Sequence, residues 1–300
     1  MLILKIQMRP NSPKNLMNYL KERFPIIPLL LFCGATLCGI ASGISSTPRL
    51  DKVITLTLVY LGFLLHLRIL DELKDLNYDQ KFHSERPIPK GLVTLTFLKK
   101  VDLINLVLLL TATFCSSTLN IFFLFLVSLL YTGLMFKEFF LPTLRETSVP
   151  LYLVLHQSVF IFLYLFFFST LSESFWSITS THKLAHFLYM LIPPYLIEIG
   201  RKVEDRISPK GEKTNDTYTY LWGQKKTIHI FACLIFISGL TSLGILNFPT
   251  FLSAILIVLS LLLFIGSCFA SKLIAQHSML ITVLLALILP LLPAAIYLPN

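Results

Sequence analysis

Apolar residues fall in nine runs separated by polar stretches: Pro25 to Ile44, then residues near 51–70, 101–117, 119–136, 149–171, 184–200, 227–245, 248–270 and 273–298. A helix needs roughly 20 apolar residues to cross a bilayer, so the pattern predicts an all-α, polytopic membrane helical bundle of about nine transmembrane helices. A transmembrane barrel would instead show short segments of alternating polarity. Residues 1–24 read differently. Ser12-Pro13 marks a helix start, and Leu16, Leu20 and Phe24 recur every four residues, which predicts a short amphipathic helix on the membrane surface. The expected division is therefore a cytoplasmic segment, 1–24, followed by a transmembrane domain, 25–300.

Composition supports the bilayer as solvent. Of 300 residues, 55% are hydrophobic and 14% charged, and the mean hydropathy is +0.76, more apolar surface than a soluble domain can hide. The net charge of +9 would suit nucleic acid, but the cations lie in short connections between apolar runs, so no nucleic-acid partner is expected. Lys5, Arg9, Lys14, Lys21 and Arg23 precede the first run. Lys74, Lys81, Arg86, Lys90, Lys99 and Lys100, then Lys137 and Arg145, then Arg201 to Lys226, and finally Lys272 follow alternate runs. The other connections hold little beyond Arg49, Lys52 and Lys183. Positive loops stay inside, so the amino terminus is expected in the cytoplasm and Asn300 outside. Cys33, Cys38, Cys115, Cys233 and Cys268 lie in or beside apolar runs without metal-type spacing and read as packing residues.

Chemistry concentrates in two polar stretches that this threading puts on one face. The first, Asp71 to Gly91, reads DELKDLNYDQKFHSERPIPKG. Asp71, Asp75 and Asp79 are spaced four apart, a step that drifts only about 40° on a helix and keeps three carboxylates in one stripe. Their repulsion calls for a cation, and Mg²⁺ shared with substrate phosphates suits such oxygen donors. Arg86-Pro87-Ile88-Pro89-Lys90-Gly91 then fixes a loop carrying two cations. The bland alternative is a helix end with solvated charges. The second stretch, Glu198 to Lys226, is another dense cluster of opposed charges.

Together these residues resemble the UbiA superfamily of intramembrane prenyltransferases. Its first signature is Asn-Asp-x-x-Asp-x-x-x-Asp followed by an Arg-Pro turn; here Asp71-Glu72, Asp75, Asp79, Arg86 and Pro87 stand in those places. Its second is commonly Asp-x-x-x-Asp; here Glu198 takes the first place and Lys202 the last. A lysine cannot bind a cation but can hold diphosphate oxygens.

The resemblance implies a bundle around a central cavity opening sideways to lipid, in a bacterial inner (plasma) membrane. It implies transfer of a polyprenyl group from prenyl diphosphate to an aromatic or lipophilic acceptor, with Mg²⁺. Asp71, Glu72, Asp75, Asp79 and Glu198 are then the expected metal ligands. Asp75, Asp79 and Lys202 are expected to be catalytic, and Arg68, Lys74, Arg86, Lys90, His156, Arg201 and Lys202 to contact substrate. Arg68 has a second reading, an ion pair with Asp71 or Glu72. His156-Gln157, costly to bury in a span, reads as a cavity wall touching the acceptor or as a helix-to-helix hydrogen bond. Two further functions remain open: a binder or transporter of a phosphorylated lipid, and a phosphosugar transferase acting on a lipid phosphate. A Walker loop, a zinc helix and a nucleophile elbow are not found.

Overall fold

The structure, a computed structural model, describes residues 10–44, 49–141, 143–174, 180–244 and 250–297. Lys5, Arg9 and Asn300, which carry part of the expected orientation, lie outside them. The helices are α1 (Pro13–Arg23), α2 (Ile26–Ser42), α3 (Leu50–Lys74), α4 (Leu76–Phe82), α5 (Leu95–Ser116), α6 (Leu119–Phe136) and α7 (Leu144–Thr147). Then follow α8 (Val149–Gln157), α9 (Val159–Ser172), α10 (Thr181–Met190), α11 (Ile192–Gly200), α12 (Tyr218–Trp222), α13 (Gln224–Gly244) and α14 (Thr250–Tyr297). Among the described residues no strand forms beyond an isolated bridge between Ile207 and Lys213.

Each apolar run lies on helix, yet among the described residues five helical stretches are long and apolar enough to span, α8 with α9 counting as one, or six if α1 and α2, bent by 47°, are joined. The difference from nine has local causes. α5 carries Lys99, Lys100 and Asp102 in its first turns. Pro193 and Pro194 lack the N–H that would continue α10, so α10 and α11 break at Leu191. α14 joins the last two runs across a break at Ala270 (φ −135°, ψ 40°). His229 beside Ser267, and Ser242 beside Ser253, set α13 antiparallel to the first part of α14. The second part returns past Gly200, whose carbonyl accepts from the Ser278 hydroxyl, and on to Tyr189, which donates to Leu289 O.

The interior is largely aromatic. Tyr60, Phe63, Phe125, Tyr164, Phe166 and Phe167 are fully buried and meet in tilted and edge-to-face pairs. Leu103, Leu108, Leu130, Leu262 and Phe269 stand exposed on the outside, as a lipid-facing surface requires in an integral membrane protein. A smaller apolar cluster of Tyr19, Ile69, Ile88, Val93 and Leu98 fastens α1 and the loop after α4 to the ends of α3 and α5. Asn11 closes that contact: its carbonyl oxygen accepts from Thr94 N at 2.9 Å and its amide donates to Thr94 Oγ1 at 3.1 Å.

Candidate functional site

α3 delivers Asp71, Glu72 and Lys74 to one end of the bundle, and α11 delivers Glu198 and its following cations to the same end. Two contacts join the stretches directly. The Tyr78 hydroxyl donates to Asn215 Oδ1 at 2.8 Å, and His83 Nε2 lies 3.5 Å from Asp216 Oδ2. Arg201 also lies within electrostatic reach of Asp71. The opposite end holds only scattered pairs among the described residues, Arg49 with Asp51 and Lys52 with Glu173.

The five carboxylates expected to share a metal divide into two groups. Glu72, 3% exposed, turns into the protein, where Oε1 accepts from Arg23 Nε at 2.8 Å and Arg68 Nε at 2.9 Å. Asp79 is equally buried, ion-paired to Arg86 and 3.8 Å from Arg23 Nη2. Three guanidiniums thus face two carboxylates, and the ion-pair reading of Arg68 holds. Glu198 is likewise occupied. Arg201 Nε donates to Oε2 at 2.8 Å, Lys202 Nζ sits 2.6 Å from Oε1, and the Tyr218 hydroxyl donates to Oε1 at 3.2 Å. Lys202 Nζ also lies 5.0 Å above the Tyr218 ring.

Asp71 and Asp75 remain. Neither is held in an ion pair among the described residues. Asp75 caps α3 with its side chain exposed at the rim, although most of its surroundings are protein. That partial loss of water, followed by the Asp71 charge one turn earlier, raises its carboxyl to about 6. In the second loop, burial works to raise Asp216, but the Thr214 hydroxyl and Arg206 outweigh it and hold the carboxyl at about 2.

Asp71 opens on a narrow cleft of about 20 Å³ between α3, α6 and α8, whose polar lining is Asp71, Lys74, Thr132 and His156 and whose apolar lining includes Leu70 and Phe136. Lys74 is anchored there by Glu138 at 3.1 Å. Lys90, by contrast, is exposed and joins no ion pair among the described residues. No three His, Cys, Asp or Glu side chains converge as a ready metal cluster among those residues. A two-carboxylate site completed by water and substrate oxygens is what Asp71 and Asp75 offer, and that donor set fits Mg²⁺.

Sequence reasoning missed Arg23, which reaches Glu72 from 49 positions away, and the buried chain Asp102–His66–Thr132. There His66 Nδ1 meets Asp102 Oδ1 at 2.9 Å and Nε2 meets Thr132 Oγ1 at 3.1 Å. An ionisable residue inside α5 was the legible signal for the latter.

No protein-family profile and no curated protein matches this chain. Its fold is similar to that of a solved structure described as digeranylgeranylglyceryl phosphate synthase in membranes, with a TM-score of 0.57 over 94% of this chain and 99% of that one. Identity is 16%, so the likeness is one of fold.

Proposed function

We propose that this chain is a membrane prenyltransferase of UbiA type, which moves a polyprenyl group from its diphosphate to a lipophilic or aromatic acceptor. The observation that carries the reading is the meeting of two charged stretches at one mouth: the open carboxylates Asp71 and Asp75 stand at the same end of the bundle as Arg201 and Lys202, and Asp71 lies within electrostatic reach of Arg201. The fold likeness to a digeranylgeranylglyceryl phosphate synthase supports it.

Asp71 and Asp75 are the residues that would hold magnesium. When bound, the ion neutralises charge developing on a departing diphosphate. Arg201 and Lys202 bring two charges against the single charge of Glu198, leaving a net positive grip for phosphate oxygens. Arg68 and Arg86, with Arg23, add a second positive excess, and Glu72 and Asp79 keep those side chains in place. Asp79 then acts through the shape of the loop. Prenyl diphosphate approaches from the cytoplasmic side and its chain lies among the lipid-facing helices, the protein sitting in a bacterial inner membrane with its amino terminus cytoplasmic.

Purified protein given labelled geranylgeranyl diphosphate, magnesium and a membrane lipid extract should form a labelled lipid. Asp75→Ala should abolish it. Equal product from that variant rejects the reading.

A further inference from the structure

A second cavity lies apart from the Asp71 cleft and shares no lining residue with it. It is a slot of about 270 Å³ walled by Leu20 and Phe24 of α1, Ile26 of α2, Leu58 and Leu65 of α3, and Asn105 of α5. Leu58 and Ile26, 58% and 42% exposed, form its rim, so the slot opens to the lipid side. Between Leu58 and Leu65 it follows α3 for about 10 Å. Gly62 lets α5 close against α3 here, since a Cβ at that position would meet Asn105 Oδ1 at 2.8 Å.

Water does not suit this wall. A bound water needs roughly two to four polar partners. Asn105 carries the one polar side chain lining the slot, and its amide already donates to Gly62 O at 2.9 Å. A hydrocarbon chain, by contrast, meets apolar side chains along the whole length.

The upper end of the slot says what that chain is attached to. With α1 on the membrane surface, as its amphipathic pattern predicts, the 47° bend from α1 into α2 falls where headgroups meet acyl chains, and Leu20, Phe24 and Ile26 wall the slot around that bend. Cations stand at the same level. Lys21 follows Leu20 on α1, Lys99 and Lys100 follow Leu98 on α5, and Leu20 and Leu98 belong to one apolar cluster. All three lysines are exposed and none joins an ion pair among the described residues; the exposed acid beside them is Glu22. The balance favours an anion.

We propose that this slot holds an acyl chain of an anionic phospholipid whose phosphate pairs with Lys21, Lys99 and Lys100. The inference stands apart from prenyl transfer and involves no bond breaking. Such a lipid bridges α1 to α3 and α5, and α1 carries Arg23 to Glu72, 2.8 Å away, so the lipid also steadies the charge cluster beside the mouth.

The test uses the full chain in mild detergent, stripped of lipid and mixed with micelles of phosphatidylglycerol or phosphatidylcholine, with native mass spectrometry reading the lipid retained. Wild type should retain one phosphatidylglycerol and hold phosphatidylcholine more weakly by about 10-fold or more. Lys21→Gln with Lys99→Gln and Lys100→Gln should bring the two lipids within about twofold of each other. Leu58→Trp, whose ring enters the slot from its rim, should cut retention of both. Geranylgeranyl diphosphate should leave the retained phospholipid in place. Equal retention of the two lipids by the wild type, a preference that survives the three glutamines, or retention undiminished in Leu58→Trp overturns the assignment. Displacement by geranylgeranyl diphosphate overturns it too, giving the slot to a prenyl chain. If Leu58→Trp does not fold, the exposed glutamine substitutions decide.

Discussion

At Glu198 both carboxylate oxygens are taken, one by Arg201 and the other by Lys202 and Tyr218, whereas Asp71 and Asp75 at the same end of the bundle hold no cation within ion-pair distance among the described residues. Both clusters look alike as strings of charge. What separates them is spacing: a cation three or four residues along the same helix lies over the carboxylate and neutralises it, as Arg201 and Lys202 do for Glu198 and as Arg68 does for Glu72. Asp75 is followed at that spacing by Tyr78 and Asp79, and Asp71 by Lys74, which forms its ion pair with Glu138 and reaches the two aspartates only through space. An acid is thus a cation site or a counter-ion according to its neighbours, and the first stretch contains both kinds.

Breaking the open pair should have the largest effect. Asp71→Asn with Asp75→Asn is expected to lower turnover about 10³-fold while diphosphate binding through Arg201 and Lys202 weakens far less, read by product formation and by a binding assay in parallel. Glu72→Ala attacks the other kind of acid. It leaves Arg23 and Arg68 buried without their partner and should cost about 3–5 kcal/mol of stability in denaturant titration, with Arg23→Ala costing less because Arg68 still holds Glu72. Lys202→Ala removes a charge-assisted contact and should weaken diphosphate binding about 10- to 100-fold. Lys202→Asp sharpens the contrast, since it sets a carboxylate four residues after Glu198 in place of its counter-ion and should lower the magnesium needed for half-maximal rate.

A pH series separates the clusters more gently. Because the Asp75 carboxyl is raised from its ordinary 3.8 to about 6, the folded protein binds that proton more tightly than the unfolded chain. The metal-free protein should therefore hold this contribution below about pH 4 and lose it as pH rises through about 6. Asp75→Asn should flatten that part of the melting-temperature profile, and Glu198→Gln should not. At the far end, Lys52→Ala breaks an exposed pair with Glu173 and should leave both stability and turnover unchanged within error.

The hydrophobic pattern made the bundle legible, because a bilayer leaves helices few alternatives and charged loops few places. That the stretches after the second and sixth runs share one end was readable for the same reason, and the Tyr78–Asn215 and His83–Asp216 contacts bear it out. Partners one turn apart were readable too, as Arg68 and Glu72 show. Partners brought by tertiary packing were not: nothing local links Arg23 to Glu72 or His66 to Asp102. The break between α8 and α9 at Ser158, whose hydroxyl donates to Val154 O at 2.8 Å, left no mark on the apolar pattern either.

α1 is packed beside the mouth by Tyr19 and Asn11, and through Arg23 it adds a charge to a cluster whose other members come from α3, α4 and the loop that follows. The cluster's positive excess is in that sense on loan from the amino-terminal helix. Detergents that peel α1 from its seat would strip Glu72 and Asp79 of one counter-charge while the longer helices stayed folded, so the choice of solubilising agent becomes a variable of the chemistry itself.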